Sequence, residues 1–545
     1  MRNDLNYALC APYRSVGKYA NPFPKGLEIL DAGNLRFPRP CTAASRNQSL
    51  KTHSRTGTRR ITLRGRVLPL NIPDENQSHS DVRLLLRGAI LVFTSCVLVE
   101  ALIGETGAVA QTLKYRGEIA TTVASTAGQP FWLRANEHGR IDAESANGYA
   151  RIGATGRTDT SRVWEARAGL DLLGRWSASE TAHFSELFAQ LRYRFAQLRV
   201  GRRHSPIGPV KGGGLSTGSL IQSRNATPLP IVSLGTAGYI GVPHTNGFAE
   251  VKGHYAHGWF SNDRFVDNVY LHRKAAYLRL GKGRVVSATM GLVHNAQWGG
   301  MSPRSGKLPQ EMEAYWNAVF AVSASEEDAP EGEQTNVLGN HVGIFDLGST
   351  VRLGDAKVSA YHQHLFEDGS SYEWKNFPDG LYGLRWTGFQ SPSIGAIQYE
   401  FLHTKDQSGP VHPPGEDNYY NNFVYRSGWS SSGTLLGSPL FLLDPSQAEE
   451  EAVISNRIVS HHLGVRGVVS SALRYRLLGT WRRHFGTFDN PFPEPRTRMS
   501  FLLELTAVPF RTSAVEVSGA VAVDTGEAMN DRVGLRLGVT YSGQR

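Results

Sequence analysis

Four stretches of the chain set aromatic rings beside amides and carboxylates: His294–Gly300, Tyr361–Ser370, His403–Pro410 and Glu416–Asn422. Within them Trp298, Tyr419 and Tyr420 offer flat apolar faces, while Gln363, Glu367, Asp368, Asp406, Gln407, Asp417 and Asn418 offer hydrogen-bonding groups. A sugar ring has an apolar face and a rim of hydroxyls. The mixture therefore suits saccharide binding, with rings that stack and polar groups that hydrogen-bond. The same composition serves loops whose aromatic residues are struts braced against one another, and the residues alone leave both readings open.

Other chemistry has less support. Glu367 with Asp368, or Glu416 with Asp417, has the residue types of a glycosidase pair, but that reaction needs acids on either side of the scissile bond and sequence carries no such separation. His362 and His364 share a strand face and His461 and His462 are adjacent, yet no third and fourth ligand follow at metal-binding spacing. The run Lys211–Ser219 has its lysine before the glycines, the reverse of a phosphate loop, and reads as a flexible or in-folded segment. No Ser/His/Asp or Cys/His arrangement stands out. The expectation is a protein without catalysis, cofactor or metal.

The elements that must position these groups are strands. Apolar residues recur at every second position, the pattern of a strand with one apolar and one polar face. Val533, Leu535, Leu537, Val539 and Tyr541 alternate with Gly534, Arg536, Gly538 and Thr540. The same alternation runs through 164–172, 186–195 and 473–482, with shorter runs at 501–504 and 515–518. The polar faces are rich in arginine, as a wide wet lumen would be, and Trp164, Trp176, Tyr193, Phe195, Trp386, Trp481 and Tyr541 sit near strand ends, where an interfacial girdle needs them. These features predict an all-β fold, a transmembrane antiparallel β-barrel, because only a closed sheet satisfies every backbone group in lipid. Strands of this kind would number about 16 to 20. Met312, Tyr315, Trp316, Val319 and Phe320 follow helical spacing behind Pro309 and predict one of a few short helices, packed on or beneath the barrel. The acidic stretch 325–336 reads as a solvent loop.

Charge divides the chain further. The formal charge is +10, but residues 1–80 carry 13 Lys+Arg against 5 Asp+Glu, and residues 111–545 carry 43 against 40. A body so close to neutral is no nucleic-acid binder. All three cysteines, Cys10, Cys41 and Cys96, precede it, so the body is held without disulfides. Arg83 and Arg87, the apolar run Gly88–Val99 and the small residues Ala108–Ala110 form a secretory signal, with cleavage expected near Ala110. A transmembrane helix is the alternative, but Glu100 and Glu105 break the run short of the roughly 20 apolar residues a span requires. Residues 1–81 then read as a basic extension, either a start assigned too early, with Val82 as the true beginning, or a disordered leader.

The candidate segments also resemble a known family, the Wzi capsule-assembly proteins. The resemblance runs through Gly214–Leu220, Asn225–Pro230, Trp259–Phe260, Tyr277–Gly281, Ala296–Gly300 and Gly339–Gly343. It continues through Gln363–Gly369, Thr404–Pro410, Asp417–Asn421, Gly437–Leu440, Asn456–Arg457 and His461–Gly464. It spans most of 115–545 but not residues 1–81, and the terminal Ser-Gly-Gln-Arg departs from the aromatic ending usual in outer-membrane barrels. The resemblance implies a barrel of about eighteen strands that binds capsular or exopolysaccharide at the outer face of a Gram-negative outer membrane and catalyses nothing. Outer-membrane lipid would be the other partner. A porin or transporter that conducts solutes is the competing reading, since arginine-rich walls serve either.

Overall fold

The computed structural model describes residues 112–545, apart from 127, 159–162, 178–179, 211–213, 325–328, 410–416, 510–513 and 528–529, together with the two-residue strands Thr62–Leu63 and Arg66–Val67. Apart from that small ladder, the basic extension and the export signal lie outside the described residues, as do Glu416 and the start of the glycine run.

Eighteen antiparallel strands close into one barrel. In chain order they are β1 Thr112–Ala124, β2 Ala146–Arg157, β3 Trp164–Trp176, β4 Glu180–Tyr193, β5 Ala196–Arg202 and β6 Pro230–Thr236, which an interruption extends to Ile240–Gly241. They continue with β7 Ala249–Trp259, β8 Tyr270–Leu280, β9 Val286–Trp298, β10 Asn340–Leu353, β11 Ala356–Phe366 and β12 Gly380–Thr387. The last are β13 Ala396–His403, β14 Ile458–Ser470, β15 Leu473–Gly486, β16 Pro491–Ala507, β17 Val515–Gly526 and β18 Arg532–Gln544. Closure pairs β18 with β1, with Leu537 opposite Thr121, so no sheet edge is left open. No helix among the described residues is long and apolar enough to cross a membrane; the strands do so.

The alternation predicts the faces correctly. On β18, Leu535 and Leu537 point outward at 50% and 64% exposure, while Arg536 points inward at 8%. The outward leucines and valines form the lipid-facing surface. Trp164, Tyr193, Phe195, Trp386 and Tyr541 collect at one end of the wall, whereas Trp176, Trp259 and Trp481 lie toward the other, giving two aromatic belts. At the first end the hairpins are tight, as at 194–195, 354–355 and 471–472, and Gly354 supplies the positive φ (60°) such a turn requires. Both chain ends of the barrel lie there as well. The long segments 203–229, 299–339 and 404–457 emerge at the opposite end, which by the usual asymmetry of such barrels faces the outside of the cell.

The expected wide wet lumen is only partly present. The segments 203–229 and 404–457 fold into the long-loop half of the barrel and build an apolar core there. Leu220, Ile221, Tyr425, Trp429 and Leu436 pack against the inward wall residues Leu271, Val293, Ile344, Leu365 and Leu402. The glycine run is in-folded where it is described: Ser216 and Thr217 hydrogen-bond the buried Glu400 carboxylate of β13 at 2.5 and 2.6 Å. Beneath β14–β18 the lumen is polar, with Arg498 on Asp524 at 2.5 Å, Arg476 on Glu504 at 3.0 Å and Arg482 over the Phe131 ring. Arg536 joins Glu504 to Glu137 of the in-folded segment 125–145, which also carries helix α1, Phe131–Arg134.

The predicted amphipathic helix is α2, Met312–Phe320, followed by α3, Glu331–Thr335. It packs on the outer wall. Tyr315 meets the outward Tyr255 hydroxyl, and the outward Lys274 ammonium donates to the Val319 carbonyl. The small Ala314 and Ala318, with Val319, are buried against the wall, while Met312, Trp316 and Phe320 form an exposed stripe. A helix lying flat at a membrane interface needs that arrangement.

Candidate functional site

The site is built where β11 ends, β12 begins, β13 ends and the loop 404–457 begins. Asp368 follows β11 directly and caps the one-turn helix α4, Gly369–Tyr372, accepting from the Ser370 and Ser371 backbone N–H groups at 2.8 and 3.1 Å. Asp379, which sequence reasoning did not single out, is completely buried and organises the whole loop. Its carboxylate accepts from the Asp406 and Gln407 N–H groups at 3.0 and 2.8 Å and from the Tyr419 hydroxyl at 2.9 Å, and it meets His403 Nδ1 at 2.7 Å.

Around this hub most of the expected sugar contacts are occupied by the protein itself. Gln407 is buried, with its side-chain amide donating to Asn456 Oδ1 at 3.1 Å. Tyr419 also accepts from Asn376 Nδ2 at 2.7 Å. The Tyr420 hydroxyl donates to the Leu220 carbonyl and accepts from the Ser438 N–H at 2.9 Å, and its backbone N–H donates to Glu367 at 2.6 Å. Gln363 points inward from β11 and accepts from the Leu220 N–H at 2.9 Å. As folded, Tyr419 and Tyr420 have no exposed surface, so neither ring offers a face to a polymer. They tie the loop to the in-folded segment as struts. Trp298 departs from the expected cluster altogether: it points outward from β9, covered by α2, with its ring 4.9 Å from Tyr270 and 5.6 Å from Tyr315.

Four of the predicted residues do come together. Glu367, Asp368, Asp417 and Asn418 line a groove of about 770 Å³ at the long-loop rim, opening on the outer side of the wall. The facing side is made by Lys274, His294 and His341 near the strand ends, by Phe320 at the end of α2, and by Asn336 and Asn340. Tyr372, Asn421, Asn422 and Phe423 complete it. Phe320, Tyr372 and Phe423 are all well exposed, so the aromatic faces the chemistry asks for are present but belong to residues that sequence reasoning did not assign to sugar. Phe320 belongs, by its spacing, to the amphipathic helix. Phe423 and Tyr372 each lie just past a segment that was singled out, and only their exposure distinguishes them.

Two acids of the groove, Glu367 and Asp417, and the neighbouring Glu451 are unusual carboxylates. Burial, with Asp417 and Asp368 nearby, pushes Glu367 well above the ordinary carboxylate range against the Tyr420 N–H that pulls it down. Burial and the adjoining Asp368 carboxyl push Asp417 up as well, although Ser408 and Ser371 donate to it at 2.8 and 3.3 Å. Glu451, which accepts from Asn418 at 2.7 Å, is raised to about 7 by burial and by Asp489. A carboxyl that holds its proton can donate as well as accept hydrogen bonds, which suits hydroxyl partners. Among the described residues no three His, Cys, Asp or Glu side chains come together as a metal site. His364 stacks on Trp374 at 3.9 Å, and His461 and His462 point to opposite faces of β14.

The family described as capsule assembly protein Wzi matches residues 114–531. Among solved structures, Wzi of Escherichia coli, described as an outer-membrane, carbohydrate-binding β-barrel involved in group 1 capsule assembly, aligns with a TM-score of 0.51 at 14% identity, over 78% of this chain and 83% of that one. OprD of Pseudomonas aeruginosa aligns with a TM-score of 0.44 at 11% identity, over 81% and 97%. No curated protein sequence matches. With most of the barrel matched, the chain belongs to the Wzi family of outer-membrane capsule-assembly proteins.

Proposed function

We propose that this protein holds capsular or exopolysaccharide at the outer face of the outer membrane, without catalysing a reaction, and that the rim groove is where the polymer lies. One observation carries the reading: the groove of about 770 Å³ sets Glu367, Asp368, Asp417 and Asn418 beside three exposed rings, Phe320, Tyr372 and Phe423. Stacking faces flanked by amides and carboxyls match a sugar chain better than they match a small ion or a peptide. The carbohydrate binding described for the Escherichia coli barrel agrees with it.

Hydrolysis is a poorer use of the same acids. Asp417 and Asp368 interact directly, whereas a glycosidase pair stands about 5 Å or more apart to flank the bond it cleaves. Conduction is a poorer use of the barrel, because the apolar core fills the half of the lumen toward the long loops. Outer-membrane lipid is the second partner, met by the outward leucines and valines. Arg476 and Arg498 beneath β14–β18 face inward onto carboxylates rather than forming a basic outer surface for nucleic acid. Export by the signal ending near Ala110 completes the proposal.

The test is made in cells of the producing organism. A strain carrying Tyr372→Ala with Phe423→Ala should assemble normal amounts of barrel yet release polysaccharide into the medium. Unchanged cell-bound polysaccharide at normal barrel levels would overturn the groove assignment.

A further inference from the structure

A second cavity lies inside the barrel, below the apolar core, between the walls of β3–β8 and the underside of the segment 203–229. Its volume is about 400 Å³. Arg167, Arg192, Arg199, Arg203, Lys252 and Arg273 face it. Glu165, the acid in its lining, is engaged by Arg192 at 3.1 Å. Glu186, within electrostatic reach of Arg199 and Arg203 without an ion pair to either, accepts from the His204 N–H at 2.8 Å, and Asp346 accepts from the Tyr277 hydroxyl at 2.9 Å. Among the described residues none of Arg167, Arg199, Arg203 and Arg273 forms an ion pair. Arg203 and Arg273 are held by neutral amides, of Gln190 at 2.9 Å and of Asn295 and Gln222 at 2.6 and 2.7 Å. Arg199 is 5% exposed, and its Nε and that of Arg167 are buried without a hydrogen-bond partner.

Elsewhere in the lumen Arg151 meets Asp171 at 2.5 Å and Arg498 meets Asp524 at 2.5 Å, and Arg482, which forms no ion pair among the described residues, lies over the Phe131 ring. A buried cation without a counter-charge opposes folding, so a group of them around a void is consistent with a space shaped for an anion from outside. The amides of Gln190, Gln197 and Gln222 stand among the cations and match hydroxyls. Access is from the short-turn end: the Arg192 side chain is 37% exposed there, while Ile207, Leu229 and Leu436 of the in-folded segments close the other side.

We propose that this cavity binds an anionic sugar residue, its carboxylate or phosphate held by Arg167 and Arg199, entering from the end where the chain termini lie. The site is independent of the rim groove, and Phe423→Ala should leave it intact.

The full chain purified in detergent is titrated calorimetrically with glucuronate, with inorganic phosphate and with glucose. Glucuronate should bind saturably and more tightly than phosphate, and glucose should not bind. Arg199→Gln, and separately Arg167→Gln, should weaken glucuronate about tenfold or more, the loss expected for one charge-assisted hydrogen bond. Because Arg199 is a buried cation without an ion pair, the ligand-free Tm of Arg199→Gln should stay the same or rise, where loss of a purely structural arginine would lower it. Absence of saturable binding, or unchanged affinity in both variants, would overturn the proposal. Phosphate bound as tightly as glucuronate would overturn its sugar part.

Discussion

Tyr419 and Phe423 lie four residues apart in the loop 404–457 and do opposite things. Tyr419 is buried on the Asp379 carboxylate, and with Tyr420 it fixes the loop to the barrel wall and to the in-folded segment. Phe423 points away from that core into the groove and is 51% exposed. The difference teaches that an aromatic-rich loop can divide its rings between holding itself together and meeting a ligand. Hydrogen bonds mark the first kind, since a buried phenol must find partners, and phenylalanine, which needs none, is free to remain at the surface.

Asp379 is where the braced region should fail most completely. Asp379→Ala removes the acceptor of two backbone N–H groups and a tyrosine hydroxyl and leaves them buried, at a cost of about 3 to 5 kcal/mol to the loop. Hydrogen exchange across 404–457 should accelerate strongly while the barrel still migrates faster unboiled than boiled. Unchanged protection would mean that the hub does not hold the loop. Tyr420→Phe keeps the ring but strands the Ser438 N–H and the Leu220 carbonyl, and should cost about 1 to 3 kcal/mol. Its polysaccharide binding should fall only in proportion to the folded loop, whereas a larger loss would return Tyr420 to the binding surface.

A smaller effect separates the regions by pH. Glu451 is raised from the ordinary 4.5 to about 7, so the folded loop binds more protons than the unfolded loop between those values. Stability from this group is therefore fully present below the unfolded pKa and is lost as pH rises through the folded one. Proteolytic nicking of 404–457 should increase across that window, and Glu451→Gln should flatten the profile. A loop that tightens with rising pH would reverse the sign.

The faces of the barrel strands were legible because period two survives any tertiary context: one register of β18 puts every leucine in lipid. The interior was not. The partners of Arg536 come from another strand and from a distant segment, Glu504 from β16 and Glu137 from the far end of the barrel sequence, and no local pattern announces such a pairing. The same limit divided the candidate site. Glu367, Asp368, Asp417 and Asn418 reach the groove, whereas Gln363, Gln407, Tyr419 and Tyr420, of similar chemistry and close in sequence, are turned into the loop core by contacts with Leu220, Asp379 and Asn456. Trp298 was misplaced because alternation identifies two faces of β9 without saying that a helix covers one of them.

Binding of isolated polysaccharide by purified protein, measured together with Tm, tests the central claim most directly. Phe423→Ala, Tyr372→Ala and Phe320→Ala remove exposed rings, so Tm should stay within what about 0.5 kcal/mol produces, while affinity falls at least severalfold in each and further in combination. If the triple variant binds polysaccharide as the unmodified protein does, with its loop still folded, the groove is not the binding site.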